Sequence, residues 1–173
     1  MNIKKILVFV FFFFSFNLSL YAEAPHYLDF KLILNESDAG KKAQNFLKKK
    51  LESGIENIKK KEKSFQEDEK KIIQQKKIIT AEEYKKKVNE LRKKVNSLQK
   101  ERSTLLDTVA KQRSKARNEL LKNLNPLIKD YMKQNKIRMV VDKKSLLLAD
   151  ENLDITKKIM TLLNEKIKTI NIN

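Results

Sequence analysis

Few side chains in this chain are equipped for catalysis. His26 is the only histidine, so no second imidazole exists to share a metal or a proton. Glu82 and Glu83 are adjacent carboxylates, but they follow Thr80 as the first turn of a helix would, where negative charge meets free backbone amides. They fit capping better than acid–base work. Cys is absent, which removes disulfides, Cys-ligated zinc, iron–sulfur clusters and thiol nucleophiles. Two glycines cannot build a Gly-rich phosphate cradle. No catalytic residue, metal ligand or cofactor is therefore expected. Cations are abundant instead. Lys48-Lys49-Lys50, Lys59-Lys60-Lys61, Lys85-Lys86-Lys87 and Arg92-Lys93-Lys94 form clusters, with Phe46, Phe65 and Tyr84 as sparse aromatic neighbours. Chemistry of this kind is attraction: of acidic chains or of polyanionic surfaces.

The charge is not spread evenly over the 173 residues. Residues 41–122 hold 26 Lys plus Arg against 12 Asp plus Glu, a net +14. The segments on either side, 23–40 and 123–173, carry −3 and +4. Pairs such as Glu56 and Lys60 explain why both signs occur on a solvated helix. They do not explain a twofold excess of one sign, which costs self-repulsion.

The elements that must carry these cations are helices. Leu51, Ile55, Ile58, Glu62, Phe65, Glu69 and Ile72 recur at alternating four- and three-residue steps, an a/d seam with two glutamates in it. The pattern predicts a helix from Ala43 to about Lys77, with Ser37 or Asp38 able to cap its start and Gly54 as a weak spot. Thr80 followed by Glu83 is a capping box that opens a second helix near Ala81. Its seam is Tyr84, Val88, Leu91, Val95, Leu98, Arg102, Leu105, Val109, Gln112 and Ala116. Two seams joined by so short a break predict an antiparallel helical hairpin over 43–122, with its tip near 78–81. Ile78 and Ile79 at that tip are expected either to pack across the turn, the favoured reading, or to meet a client.

Strand signals lie outside the hairpin. A strand is expected near Tyr27–Phe30, a second over Ile137–Val141 and a third over Ser145–Ala149. Asn125-Pro126 is expected to kink or restart a helix, Asn135-Lys136 to end it, and Asp154-Ile155-Thr156 to cap a last helix through Ile167. Residues 23–42 and 123–173 must then meet as one small β-containing body. The fold class is α+β and mostly helical.

Residues 1–22 stand apart. Lys4 and Lys5 precede a continuous apolar run from Ile6 to Phe14, and small residues follow at Ala22 and Ala24. This is the layout of a cleaved signal peptide, with the cut near Ala22 or Ala24. Its removal leaves a charge of +15, and export removes nucleic acid from the partners expected in vivo.

The ordered set of these pieces resembles the Skp/OmpH family of periplasmic chaperones. The matching residues are the first strand followed by Asn35-Glu-Ser-Asp-Ala-Gly-Lys-Lys-Ala43, the charged hairpin, Pro126 through Val140-Val-Asp142, and Leu153-Asp-Ile-Thr156 before a terminal helix. The resemblance implies a jellyfish-like homotrimer, with three β bodies joined and three hairpin tentacles around a cavity. It implies periplasmic capture of unfolded outer-membrane β-barrel proteins there, without ATP. Lipopolysaccharide or an anionic membrane surface is a further partner that it allows. The charge pattern places the client contacts at Lys48, Lys49, Lys59, Lys60, Phe65, Tyr84, Lys85, Lys86, Arg92 and Lys93. The competing reading is a structural coiled-coil envelope protein without chaperone activity. Strands at both ends of the mature chain, which a plain spacer does not need, weigh against it.

Overall fold

The computed structural model describes residues 24–172. The expected signal peptide lies outside them. The chain runs β1 (His26–Leu28), α1 (Phe30–Glu36), α2 (Asp38–Gln75), α3 (Ala81–Gln134), β2 (Val140–Asp142) and α4 (Thr156–Lys166), with short 3-10 turns at Lys143–Ser145 and Glu151–Leu153.

β1 and β2 form a two-stranded parallel sheet in which His26 faces Val140 and Leu28 faces Asp142. An isolated parallel bridge joins Tyr27 to Asp154 on the other side of β1. The chain's two ends therefore meet as expected, but the strands are shorter than their apolar runs. Phe30 is not in a strand. The Asp29 carboxylate accepts the amide of Leu32 at 2.8 Å, which starts α1 one residue after the strand stops. Residues 145–149 form no strand either. Asp142 caps the amide of Lys144 and turns the chain into a 3-10 turn, which leaves Leu147 and Leu148 96% and 90% exposed.

The body's core is Leu28, Ile33, Leu120, Leu124, Ile137, Ile155, Ile159 and Leu163, with Tyr131 and Met132 packed against it. Thr156 ties its ends together. Its hydroxyl accepts the amide of Asp29 at 2.8 Å, across most of the chain.

α2 begins where the Ser37 hydroxyl accepts the amide of Gly40 at 3.2 Å. Gly40 is required there, since a Cβ would strike the carbonyl oxygen of Leu34. α3 begins at the expected capping box. The Thr80 hydroxyl accepts the Glu83 amide, and the Glu83 carboxylate accepts the Thr80 amide, each at 3.2 Å. α3 then runs unbroken for 54 residues, so Pro126 neither ends nor restarts it. Pro126 and Lys122 both face solvent, and water can satisfy the carbonyl that proline leaves without a donor. Leu124, Leu127 and Ile128 hold the helix to the body on both sides of the proline. The helix ends at Asn135-Lys136 as expected. Lys136 takes φ 57°, and the Ile137 amide returns to the Met132 carbonyl at 2.9 Å, which is a Schellman closure with lysine in glycine's usual place.

Candidate functional site

The hairpin of α2 and α3 carries the charge, and its seam decides which side chains remain available. Ile58, Leu98 and Val109 are buried in it. Of its polar positions, Glu62, Arg102 and Gln112 pair across the hairpin, while Glu69 turns to solvent. Arg102 donates to Glu62 at 2.8 Å, and Lys50 donates to Gln112 at 3.0 Å. Lys61 with Glu101 and Lys94 with Asp68 add flanking ion pairs at 2.6 and 3.2 Å. From Lys50 with Gln112 to Lys94 with Asp68 the partner numbers fall on α3 as they rise on α2, the antiparallel register of the hairpin. Gly54 lets the helices come close. A Cβ there would lie 2.5 Å from a terminal carbon of Leu105. The glycine read from sequence as a weak spot is a seat for leucine.

α2 alone spans roughly 55 Å at 1.5 Å per residue. Two open grooves lie along the hairpin. The outer one, of about 830 Å³, is lined by Phe65, Ile72, Tyr84, Val88, Arg92 and neighbours. The inner one, of about 590 Å³, lies at the root beside Lys48, Leu51, Val109 and Arg113.

The structure brings Phe65, Tyr84 and Arg92 together in the outer groove. Both aromatics are half-buried seam residues rather than exposed ones. Each has a lysine ammonium near its ring, Lys94 at 5.9 Å from Phe65 and Lys76 at 5.7 Å from Tyr84. Lys85, Lys86 and Lys93 are exposed on the same outer portion of α3. Lys48 lines the inner groove, well away from these. Lys49 faces solvent beside the inner groove, and Lys59 and Lys60 face solvent along α2 between the two. Lys60 is partly neutralised. It donates to Glu56, and that hydrogen bond holds the Glu56 carboxyl below its ordinary range. The ten candidates are therefore a surface distributed over the hairpin's length and not one pocket. At the tip, Ile79 is half-buried as expected, whereas Ile78 is 82% exposed.

Among the described residues no group of three or more His, Asp or Glu is placed to hold a metal, and no helix is long and apolar enough to cross a membrane.

A family model described as outer membrane protein (OmpH-like) matches residues 26–163, from β1 into α4. The chain belongs to the OmpH-like family. Among solved structures it is similar to a candidate OmpH-like outer membrane chaperone from Caulobacter crescentus CB15, with a TM-score of 0.79 and 20% identity over 88% of this chain and 95% of that one. That likeness is one of fold. No curated protein matches. Within this OmpH-like fold, two features were not anticipated. One is the exposed Leu147-Leu148 pair, hidden by its strand-like composition. The other is the segment after α4, whose Ile170 and Ile172 alternate in a way that signals an extended apolar edge.

Proposed function

We propose that this chain is an ATP-independent periplasmic holdase, working as a homotrimer that keeps unfolded outer-membrane β-barrel proteins from aggregating. The observation that carries the reading is the hairpin: a net +14 arm held in one register, with a groove of mixed apolar and polar lining near its outer end. Unfolded clients that carry acidic charge are drawn to such an arm over the distance at which charge is unscreened. Their apolar segments then meet Phe65, Tyr84 and Val88 in the groove. Each contact is weak, and several arms acting at once retain the client by effective concentration. No step needs bound nucleotide, a metal or a catalytic side chain.

The trimer is supported by what the body leaves open. Leu147, Leu148 and Met139 are exposed next to a sheet of only two short strands. So small a body gains from closing its sheet edges against further copies. The proposed division follows: 1–22 is removed on export near Ala22 or Ala24, 23–42 with 123–173 assembles, and 43–122 captures. Lipopolysaccharide or an anionic membrane surface fits the same basic arm as a secondary partner.

Light scattering should give three times the chain mass. The purified protein should suppress aggregation of a urea-diluted outer-membrane β-barrel protein without ATP. A chain with 52–112 replaced by a short turn should remain trimeric and lose the suppression. A monomeric full-length protein, or a shortened chain that still suppresses, overturns the reading.

A further inference from the structure

After α4 the chain does not wander. Ile167 takes extended backbone, with φ −136° and ψ 131°, and its amide closes the helix on the Leu163 carbonyl at 2.8 Å. The next residues leave the body and cross the root of the hairpin. Ile170 packs against the body core and also against a second cluster, made of Ala43 and Leu47 on α2, Ala116 on α3 and Ile172 from the tail. Ile172 is 7% exposed in that cluster. Ala43 and Ala116 are short, so the isoleucine fills space that two larger facing residues would close by themselves. Polar contacts fix the crossing on either side. Asn164 accepts the Asp38 amide at 2.8 Å, one of the amides that α2's first turn leaves without a helical partner. Lys168 reaches the Asp38 carboxylate at 2.8 Å. The C-terminal residues in these contacts, Asn164, Lys168, Ile170 and Ile172, lie beyond Leu163, where the family match ends.

We infer that residues 167–172 are a strap that fixes the angle between the hairpin and the body. α1, the unbroken α3 and Ala39 of α2, which is buried in the body core, join the two parts on one side of the root. The tail supplies the other side, because it touches the body core, α2 and α3 together. Without it, α2 keeps Ala39 in the body core and the Asn164 contact but loses its anchor farther along at Ala43 and Leu47. The strap holds whether or not clients bind, so its test does not depend on chaperone activity.

The chain has no cysteine, so a nitroxide pair can be placed without background. Lys157→Cys on α4 and Lys63→Cys on α2 are both exposed positions. Labelled chain is diluted into unlabelled chain so that only pairs within one chain are read by pulsed electron resonance. Full-length protein should give a narrow distance distribution. A chain ending at Lys166 and the variant Ile172→Asp should both give a broadened or shifted one. Helicity should stay unchanged in both, and so should the melting of the body in Ile172→Asp, which leaves Ile167 and Ile170 in place. Amide exchange over residues 43–47 should quicken roughly tenfold or more in both, the size set by losing one buried isoleucine. An unchanged distribution in both variants overturns the strap. So does broadening in Ile172→Asp accompanied by a lower body melting temperature, which makes Ile172 a part of the core and not a restraint on angle.

Discussion

Glu62 on α2 and Arg102 on α3 occupy seam positions, where coiled helices ordinarily place apolar residues, and they meet at 2.8 Å. Each is a misfit by itself. Together they satisfy one another and mark one register, since a shift of the helices would leave a charge facing an apolar partner. Both side chains keep about two-fifths of their exposure, so the pair is worth little in itself. A double-mutant cycle should give a coupling of about 0.5 kcal/mol. Replacing both by leucine should slow amide exchange over 58–66 and 98–106 relative to either single replacement. A double variant that exchanges faster than both singles contradicts this account of the seam.

The capping box at the tip should act locally. Few tertiary contacts support the hairpin's far end, so its boundary depends on Thr80 and Glu83. Thr80→Ala should cost about 1 kcal/mol. It should speed exchange over 76–86 and leave the melting of the body where it was. Unaltered exchange at the tip would mean that packing, and not the cap, sets the start of α3.

Asp38 gives the root a pH dependence of known sign. The hydrogen bond from Lys168 is the largest influence, and it holds the carboxyl below its ordinary 3.8. Partial desolvation opposes this, while the charges of Lys168, Lys42 and Lys41 reinforce it. A folded-state value below the unfolded one means that the contribution is complete above about 3.8 and fades as pH falls through the folded value. Amide protection near Asp38, taken as exchange corrected for the intrinsic rate at each pH, should therefore be flat from neutral pH down to about 5 and fall below about 4. Lys168→Ala should flatten that acid limb. Loosening that sets in near neutral pH would assign the dependence to some other group.

Salt should separate capture from retention. At 1 M salt the screening length shortens to about 3 Å. Association of an acidic unfolded client, followed by stopped flow, should slow steeply with salt while its dissociation changes little. A salt-independent association rate would remove the basic clusters from the encounter step.

Features that rest on neighbours in sequence were legible before the structure. The capping box, the tip and the end of α3 at Asn135-Lys136 need only local partners; the seams were legible in part, since Ile55, Glu69 and Val95 are exposed while Gly54 and Asp68 take inward places on α2. Where a residue's state depends on distant ones, composition misleads. Leu146-Leu147-Leu148 has a strand's composition, yet a strand needs an edge to pair with, and Asp142 turns the chain first. Phe30 has the same bias, and the Asp29 carboxylate overrides it. Pro126 is a helix breaker locally, but body contacts on both sides outweigh one lost hydrogen bond. Gly54 carries a propensity cost in isolation, and only the position of Leu105 shows what it permits. Of the candidate contacts, the helices and the charge were legible. The gathering of Phe65, Tyr84 and Arg92 in one groove was not, because it depends on how the two seams meet.

The parallel pairing of His26 with Val140 also sets an order in time. The hairpin's contacts are local in sequence and cheap to close, so it can zip from the tip while the rest of the chain is still loose. β1 has no strand partner until almost the whole chain is present, since β2 and α4 come last. The arm should thus mature before the body, and a chain interrupted before Val140 should hold a formed hairpin with an orphaned first strand.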